Sequence, residues 1–470
     1  MVGTTLLLVA WGTFAFGAAY PWAYQPLAIG SALVGAAALV TGGRPFWSPN
    51  RWLLIALLGI FVVGIVQVIP LPLAVLQRIS PGTVAFLANY DFRYSLTADP
   101  TAAEMTTVAL RHAISIAPAR TLLFLQLFAA SALLFVGLLR TLSRTAATRL
   151  ARGIVFIGFM LAMVAILQKA ILGDDAFGGM RIYGFWEPEF KLSTPFGPYV
   201  NKNHFAGWML MAIPVSLGLA MGQLERESTR FRYGMRSFIV WLSEPGGGRM
   251  LLYLIAALVM TLSLLMTGSR SGLGCFAVVT IAAALITQRR RSRRAVLGFA
   301  VGVMVFVALA LVWAGRDAAL ERFTSDRGSV QLRLDVWSVS ARILRQFPVL
   351  GTGLNAFGTA TILYQPQQND QHFNEAHNDY VQLAVEGGLV TLALLLVAIA
   401  GLARGIRARF VANDDGAEAR WVRLGATTGI VAVAVQSLVE FSLQMPGNAV
   451  LFVVLLAMAL YVPAPLQPQP

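Results

Sequence analysis

Long apolar stretches joined by short, arginine-crowded loops run through most of the chain. Apolar runs of the roughly 17–25 residues that a bilayer crossing requires recur near 3–20, 25–42, 52–69, 120–139, 150–170, 204–222, 250–268, 271–288, 295–314, 385–403, 422–441 and 448–463. The pattern predicts an all-α polytopic membrane protein with about 12 transmembrane helices. Three connecting segments are long, 70–119, 171–203 and 315–384, and loops beyond about 12–15 residues are usually functional or disordered. The third mixes aromatic residues with balanced charge, which predicts folded, partly helical structure. Within it Leu332, Val336, Val339, Ile343 and Leu344 follow the three-to-four spacing of an amphipathic helix. Trp337 suits that helix to lie along a membrane surface, and Pro348 ends it. The glycine-rich stretch 351–358 that follows reads either as a plain turn or as a weak phosphate-binding loop.

Composition narrows the class. Of 470 residues, 57% are hydrophobic and 12% charged, with a mean hydropathy of +0.69, whereas soluble domains carry about 25% charge. The net charge of +14 sits largely in short loops: Arg140/Arg144/Arg149/Arg152, Arg226/Arg230/Arg232/Arg236, the run Arg289–Arg294, Arg404/Arg407/Arg409 and Arg420/Arg423. Short basic loops stay cytoplasmic, so alternation puts these five clusters and both termini inside and the three long loops outside. The basic loops lack an aromatic platform or a nucleic-acid-binding motif, which excludes nucleic acid as a partner. A single cysteine, Cys275, lies in an apolar run and permits neither a disulfide framework nor a Cys-based metal site within the chain. The first apolar run lacks a small-residue cleavage site and reads as a retained helix. The Pro/Gln tail, 463–470, reads as disordered.

Five polar constellations stand against this background. His377-Asn378, with Glu375 before it and Glu386 after it, closes the third long loop. A histidine there suits general-base work with a carboxylate orienting the ring; the alternative is an interfacial histidine capping the next helix. Thr267–Gly272 places Arg270 between two spans at the bilayer edge, where an ionisable residue is a functional candidate and a guanidinium suits phosphate oxygens. Snorkelling is the alternative. Arginines of the third loop, Arg316, Arg322, Arg327, Arg333, Arg342 and Arg345, suit a diphosphate or pairing with Asp317, Glu321, Asp326 and Asp335; Arg333 stands out, being close to Trp337. Asn201, Lys202, Asn203 and His204 enter the sixth apolar run and suit a sugar or phosphate, or serve as a helix cap with interfacial anchors. Glu440, near the end of the eleventh, suits a hydrogen bond inside the bundle.

Together these segments resemble the O-antigen ligase/polymerase family of bacterial inner-membrane glycosyltransferases. The family's ligases carry His-Asn/Ser/Gln, nine residues, then Gly-x-x-Gly/Thr/Tyr, and His377-Asn378 followed by Gly388-Leu-Val-Thr391 fits that spacing. Ser269-Arg270, Arg333–Trp337 with Phe347–Gly353, and Phe441–Pro446 also resemble family segments. The ligases' Arg-x-x-x-Leu pattern is not kept, since Leu273 follows Arg270 by three residues. Arg316–Leu320 has the letters but lies in the loop. The resemblance extends over about 195–460. It divides the chain into N-terminal helices 1–194, a ligase-like core 195–460 containing the loop 315–384, and the tail.

The resemblance implies an inner-membrane enzyme with a periplasmic site and a donor glycan on undecaprenyl diphosphate. His377 would be the base, and Arg270 and Arg333 would neutralise the departing diphosphate. Asn378, Glu375, Arg327, Trp337, Lys202, Asn203 and His204 would contact substrate. No Asp-x-Asp or His/Cys ligand cluster is present, so inverting transfer without metal or cofactor is expected. Lipid A-core is the expected acceptor, making the protein an O-antigen ligase. The alternatives are a polymerase of O-antigen or exopolysaccharide, a protein O-oligosaccharyltransferase, and a non-enzymatic polysaccharide transporter.

Overall fold

The apolar runs fold as helices. The structure, a computed structural model, describes residues 1–95, 111–172, 181–189, 194–227, 240–288, 327–365, 372–412 and 414–463. In chain order its helices are α1 Val2–Phe14, α2 Pro21–Thr41, α3 Trp47–Val68, α4 Leu73–Ile79, α5 Pro81–Tyr90, α6 Phe92–Ser95, α7 Pro118–Thr141, α8 Arg144–Leu172, α9 Lys202–Arg226, α10 Pro245–Met266, α11 Arg270–Gln288, α12 Arg327–Gln346, α13 Phe357–Tyr364, α14 Asp379–Ala412, α15 Ala417–Gln436 and α16 Pro446–Leu460. One short antiparallel pairing, Leu71 with His112 and Pro72 with Arg111, joins the ends of the first long loop.

Among the described residues seven helices, α2, α3, α7, α8, α9, α10 and α14, are long and apolar enough to cross a membrane. The expected span 295–314 lies outside the described residues, as do Arg230/Arg232/Arg236, Arg289–Arg294, Arg316, Arg322 and residues 464–470. The runs at 3–20 and 448–463 form helices of 13 and 15 residues, short of the 20 or so that span hydrocarbon. The first breaks where Phe16, Gly17 and Ala18 take positive φ, and the last starts only at Pro446. The runs 271–288 and 422–441 correspond to α11 and α15, which are helical but not among the seven; α15 opens on a turn carrying Glu418, Arg420 and Arg423.

The chain divides into two compact units, Met1–Pro49 with Ala130–Ser325 and Gly405–Pro470, and Asn50–Ala129 with Asp326–Arg404. In the first, α9 is the central helix: 83% of its apolar window is buried, against 28–50% for the other six spans. Glycines bring it into backbone contact with α15. A Cβ added to Gly218, Gly425 or Gly429 would lie 2.5–2.6 Å from the carbonyls of Trp421, Pro214 and Met211, the small-residue packing that membrane helices favour. Basic loops that are separate in sequence converge at one end of this unit. Arg423, fully buried, donates to Asp415 at 2.7 Å and lies over the Tyr461 ring at 4.3 Å. Arg144 pairs with Asp415 at 3.9 Å, Arg409 with Asp414 at 3.8 Å, and Arg420 with Glu225. Glu418 takes Arg152 at 2.7 Å and Arg226 at 3.5 Å.

In the second unit, α12 is the expected amphipathic helix. Its apolar face is covered by protein instead of lipid: Val336, Val339, Ile343 and Phe347 pack with Phe86, Ile116, Phe357, Phe373 and Val385. The glycine-rich stretch is a turn that docks on α14. Thr352 N donates to Val385 O at 3.1 Å, Gly353 N to Glu386 O at 3.0 Å, and Leu389 N to Pro348 O at 2.9 Å. These N–H groups are therefore committed to protein carbonyls. Docking is possible because α14 kinks at Gly388 (φ 66°, ψ −170°), a conformation open essentially only to glycine. A Cβ there would sit 2.2 Å from Val349 O. Gly388→Ala is predicted to destabilise the second unit by at least about 1–3 kcal/mol, read as a lower melting temperature in detergent; wild-type stability would contradict the kink's role.

Candidate functional site

The loop 372–378 is fastened at three points, and His377 lies between the last two. Phe373 is buried; its N–H donates to Gln365 Oε1 at 2.9 Å, and its carbonyl accepts from Thr361 Oγ1 at 2.7 Å. Ala376 is held through both polar backbone atoms, its carbonyl by Trp337 Nε1 of α12 at 2.9 Å and its N–H by Gln382 Oε1 at 2.9 Å. Asn378 caps α14, its Oδ1 accepting from Tyr380 N and Val381 N, both at 3.0 Å, the usual task of an N-cap amide. Between them His377 takes φ +49°, a left-handed conformation uncommon outside glycine. The half-buried ring is thus fixed at its backbone by neighbours on both sides.

A buried amide joins the two carboxyl groups of this region. Gln382 Nε2 donates to Glu375 Oε2 at 2.6 Å and to Glu386 Oε1 at 3.2 Å. Glu386 also accepts from Asn355 N at 2.8 Å and Phe357 N at 3.1 Å, satisfying donors at the start of α13. Its backbone carbonyl takes the side chain of the fully buried Gln67 at 2.9 Å, and Gln67 also holds Leu350 O and Leu354 N. Burial pushes the Glu375 carboxyl up to about 8, opposed by the Gln382 hydrogen bond, reinforced by the charges of Glu386 and Asp379, and opposed again by Arg120. Glu375 is therefore mostly protonated at neutral pH. That corrects the expectation of a carboxylate charge beside His377, because desolvation favours the neutral form.

In the first unit three of the sequence constellations meet in one polar network. Ser269 Oγ caps α11 by accepting from Gly272 N at 3.2 Å, so Arg270 is the helix's first residue and is half-buried. Glu440, fully buried, accepts from Asn203 Nδ2 at 2.9 Å and Ser271 Oγ at 3.4 Å, the bundle role expected for it. Asn201 caps α9 by accepting from Asn203 N at 2.8 Å. Lys202 is half-buried and begins α9. His204 is 4% exposed and lies edge-on to Phe441 at 4.6 Å, its ring packed within the bundle.

The predicted residues thus fall into two groups. His377, Asn378, Glu375, Arg333, Arg327 and Trp337 belong to the second unit, and Arg270, Lys202, Asn203 and His204 to the first. Arg327 opens α12 and Arg333 is half-buried along it. Trp337 serves as a strut for the histidine loop. Gln382, Gln67 and Arg120 were not singled out from the sequence; Gln382 carried a signal, a lone amide one turn before Glu386 in an apolar helix. Among the described residues no three His, Cys, Asp or Glu side chains gather as a metal site.

Residues 255–396 match the family model described as O-Antigen ligase. The match covers under a third of the chain and marks this stretch as similar to O-antigen ligases. The matched stretch runs from within α10 to within α14 and contains both Arg270 and His377. Comparison with curated proteins finds no match. The match and the apolar helices together indicate a multi-pass membrane protein. The match supports glycosyl transfer of the O-antigen ligase/polymerase type in general.

Raising an acid's value on folding means that the folded state binds the extra proton. The stability Glu375 contributes is complete below its ordinary value of 4.5 and is lost as pH rises through about 8. Glu375→Gln, neutral at every pH, is predicted to gain stability relative to wild type between pH 5 and 9, measured by thermal melting. A constant difference across that range would contradict a protonated Glu375.

Proposed function

We propose that the protein transfers a glycan from undecaprenyl diphosphate to an acceptor hydroxyl at the periplasmic face of the bacterial inner membrane, most directly O-antigen onto lipid A-core. The observation that carries this reading is the His377 turn, pinned at Ala376 and Asn378 within the family-matched stretch. Strain held by its surroundings is a mark of functional positions.

In the proposed step His377 takes the proton of the acceptor hydroxyl, and the oxygen attacks the anomeric carbon in line. The new C–O bond forms as the bond to the diphosphate breaks, with inversion. The bonding pair leaves on the diphosphate oxygen, and the proton on His377 passes to solvent. Arg333 and Arg270 are the residues proposed to neutralise the departing charge, a task for preorganised cations, with no metal required. Glu375 in its neutral form suits donation of a hydrogen bond to a sugar oxygen. Asn378 contributes by holding the turn, and Trp337 by holding α12 against it.

The test is turnover of an undecaprenyl-diphosphate glycan with purified lipid A-core, with chelator present throughout. His377→Ala is predicted to lose roughly 100-fold or more in turnover, the usual weight of general-base catalysis, and Arg333→Ala and Arg270→Ala to lose activity as well. Wild-type turnover in His377→Ala would overturn the base. Longer lipid-linked glycans without transfer to lipid A-core would make the protein a polymerase.

A further inference from the structure

A further cleft lies at the basic end of the first unit. Here α8, the last turn of α9 and the start of α15 enclose a cleft of about 440 Å³. The N-cap of α15 is Gly416, which has no side chain to satisfy the helix's first N–H groups. Those donors and the positive end of the helix dipole face an opening lined by Arg149, Arg152 and Arg226. Among the described residues the only carboxylate lining it is Glu418, which takes Arg152 and Arg226; Arg144, also lining it, pairs with Asp415.

Two further observations indicate what it takes. Thr148 lines the cleft, is 8% exposed as a residue, and makes no hydrogen bond among the described residues, so its hydroxyl is left available to the cleft. Arg149 is exposed and likewise has no partner among the described residues. Thr145, Arg149, Arg152 and Phe156 are all exposed at helical spacing on one face of α8, with Phe156 at 65%. The cations thus stand one turn from a large apolar side chain on the same open face. That order, cationic head and apolar stem, matches a phospholipid rather than a soluble anion.

We propose that this cleft binds the phosphate of an anionic phospholipid, held by Arg149, Arg152, Arg226, the Thr148 hydroxyl and the N-terminus of α15, with an acyl chain along Phe156. Basic pockets between membrane helices are suited to such headgroups. The inference stands apart from the glycan-transfer reading and does not depend on it.

Native mass spectrometry of the full chain, titrated separately with phosphatidylglycerol and phosphatidylcholine, tests it. Wild type should retain phosphatidylglycerol preferentially. Arg149→Gln should bind it roughly fivefold more weakly, the weight of one cation near a lipid surface, and Thr148→Val should also weaken it. Arg345→Gln, in the other unit, should change nothing. Arg149 has no partner among the described residues, so its variant should melt as wild type does. Equal binding of the two lipids, wild-type affinity in Arg149→Gln, or displacement of the lipid by millimolar inorganic phosphate would each overturn the proposal.

Discussion

Two stretches of backbone, 348–353 and 385–390, touch with no side chain between them, and the second unit is organised by that contact. It exists because Gly351 and Gly388 both take positive φ and neither carries a Cβ. Pro348 O, Val385 O and Glu386 O are satisfied across it, while Gln67 spans the seam from α3. An apolar setting makes these bonds obligatory, since an unmade backbone bond there costs about 1–3 kcal/mol. The Glu386 carboxylate is thereby aimed at the start of α13, and Gln382, one turn before it, reaches the loop that ends in His377. The histidine is thus placed by a series of committed polar contacts.

The first unit solves a different problem with the same economy. Its long helices must bury arginines at one end without leaving their charge unpaired. Arg423 shows how: a carboxylate, backbone carbonyls and an aromatic face surround it. A buried pair of this kind is costly to break from either side, which ties the loop before α15 to the end of α16. Arg149 and Thr148 depart from this pattern, and that is why the cleft beside them reads as a binding site.

Much of the fold was legible, and the reasons are local. The alternation of α12 between apolar and charged positions defined the helix, and the apolar run 385–403 marked the body of α14, although its cap is Asn378 and not the histidine the alternative reading named. The His377–Thr391 spacing pointed to the loop that proved to be pinned. What escaped was long-range. Nothing in the residues around Gln67 announces that its amide will meet Leu350 and Glu386. The Thr267–Gly272, Asn201–His204 and Glu440–Pro446 segments read as three constellations because sequence distance hides that Glu440 joins Asn203 and Ser271. The protonation of Glu375 was misread because burial of a loop carboxyl cannot be inferred from its neighbours in the chain. Trp337 was read as suiting its helix to lie along a membrane surface, although that helix has a protein partner for its apolar face.

The most direct test of this account is a pH–rate profile. The kcat/KM for glycan transfer would be followed beside the NMR titration of His377, identified by its absence in a His377→Gln sample in the same membrane mimetic. A base held ready by its turn predicts that the rate rises as His377 loses its proton, with the two midpoints coinciding. A rate that is flat across the His377 titration, or that rises with a midpoint belonging to another group, would contradict the claim that this turn presents the reacting base.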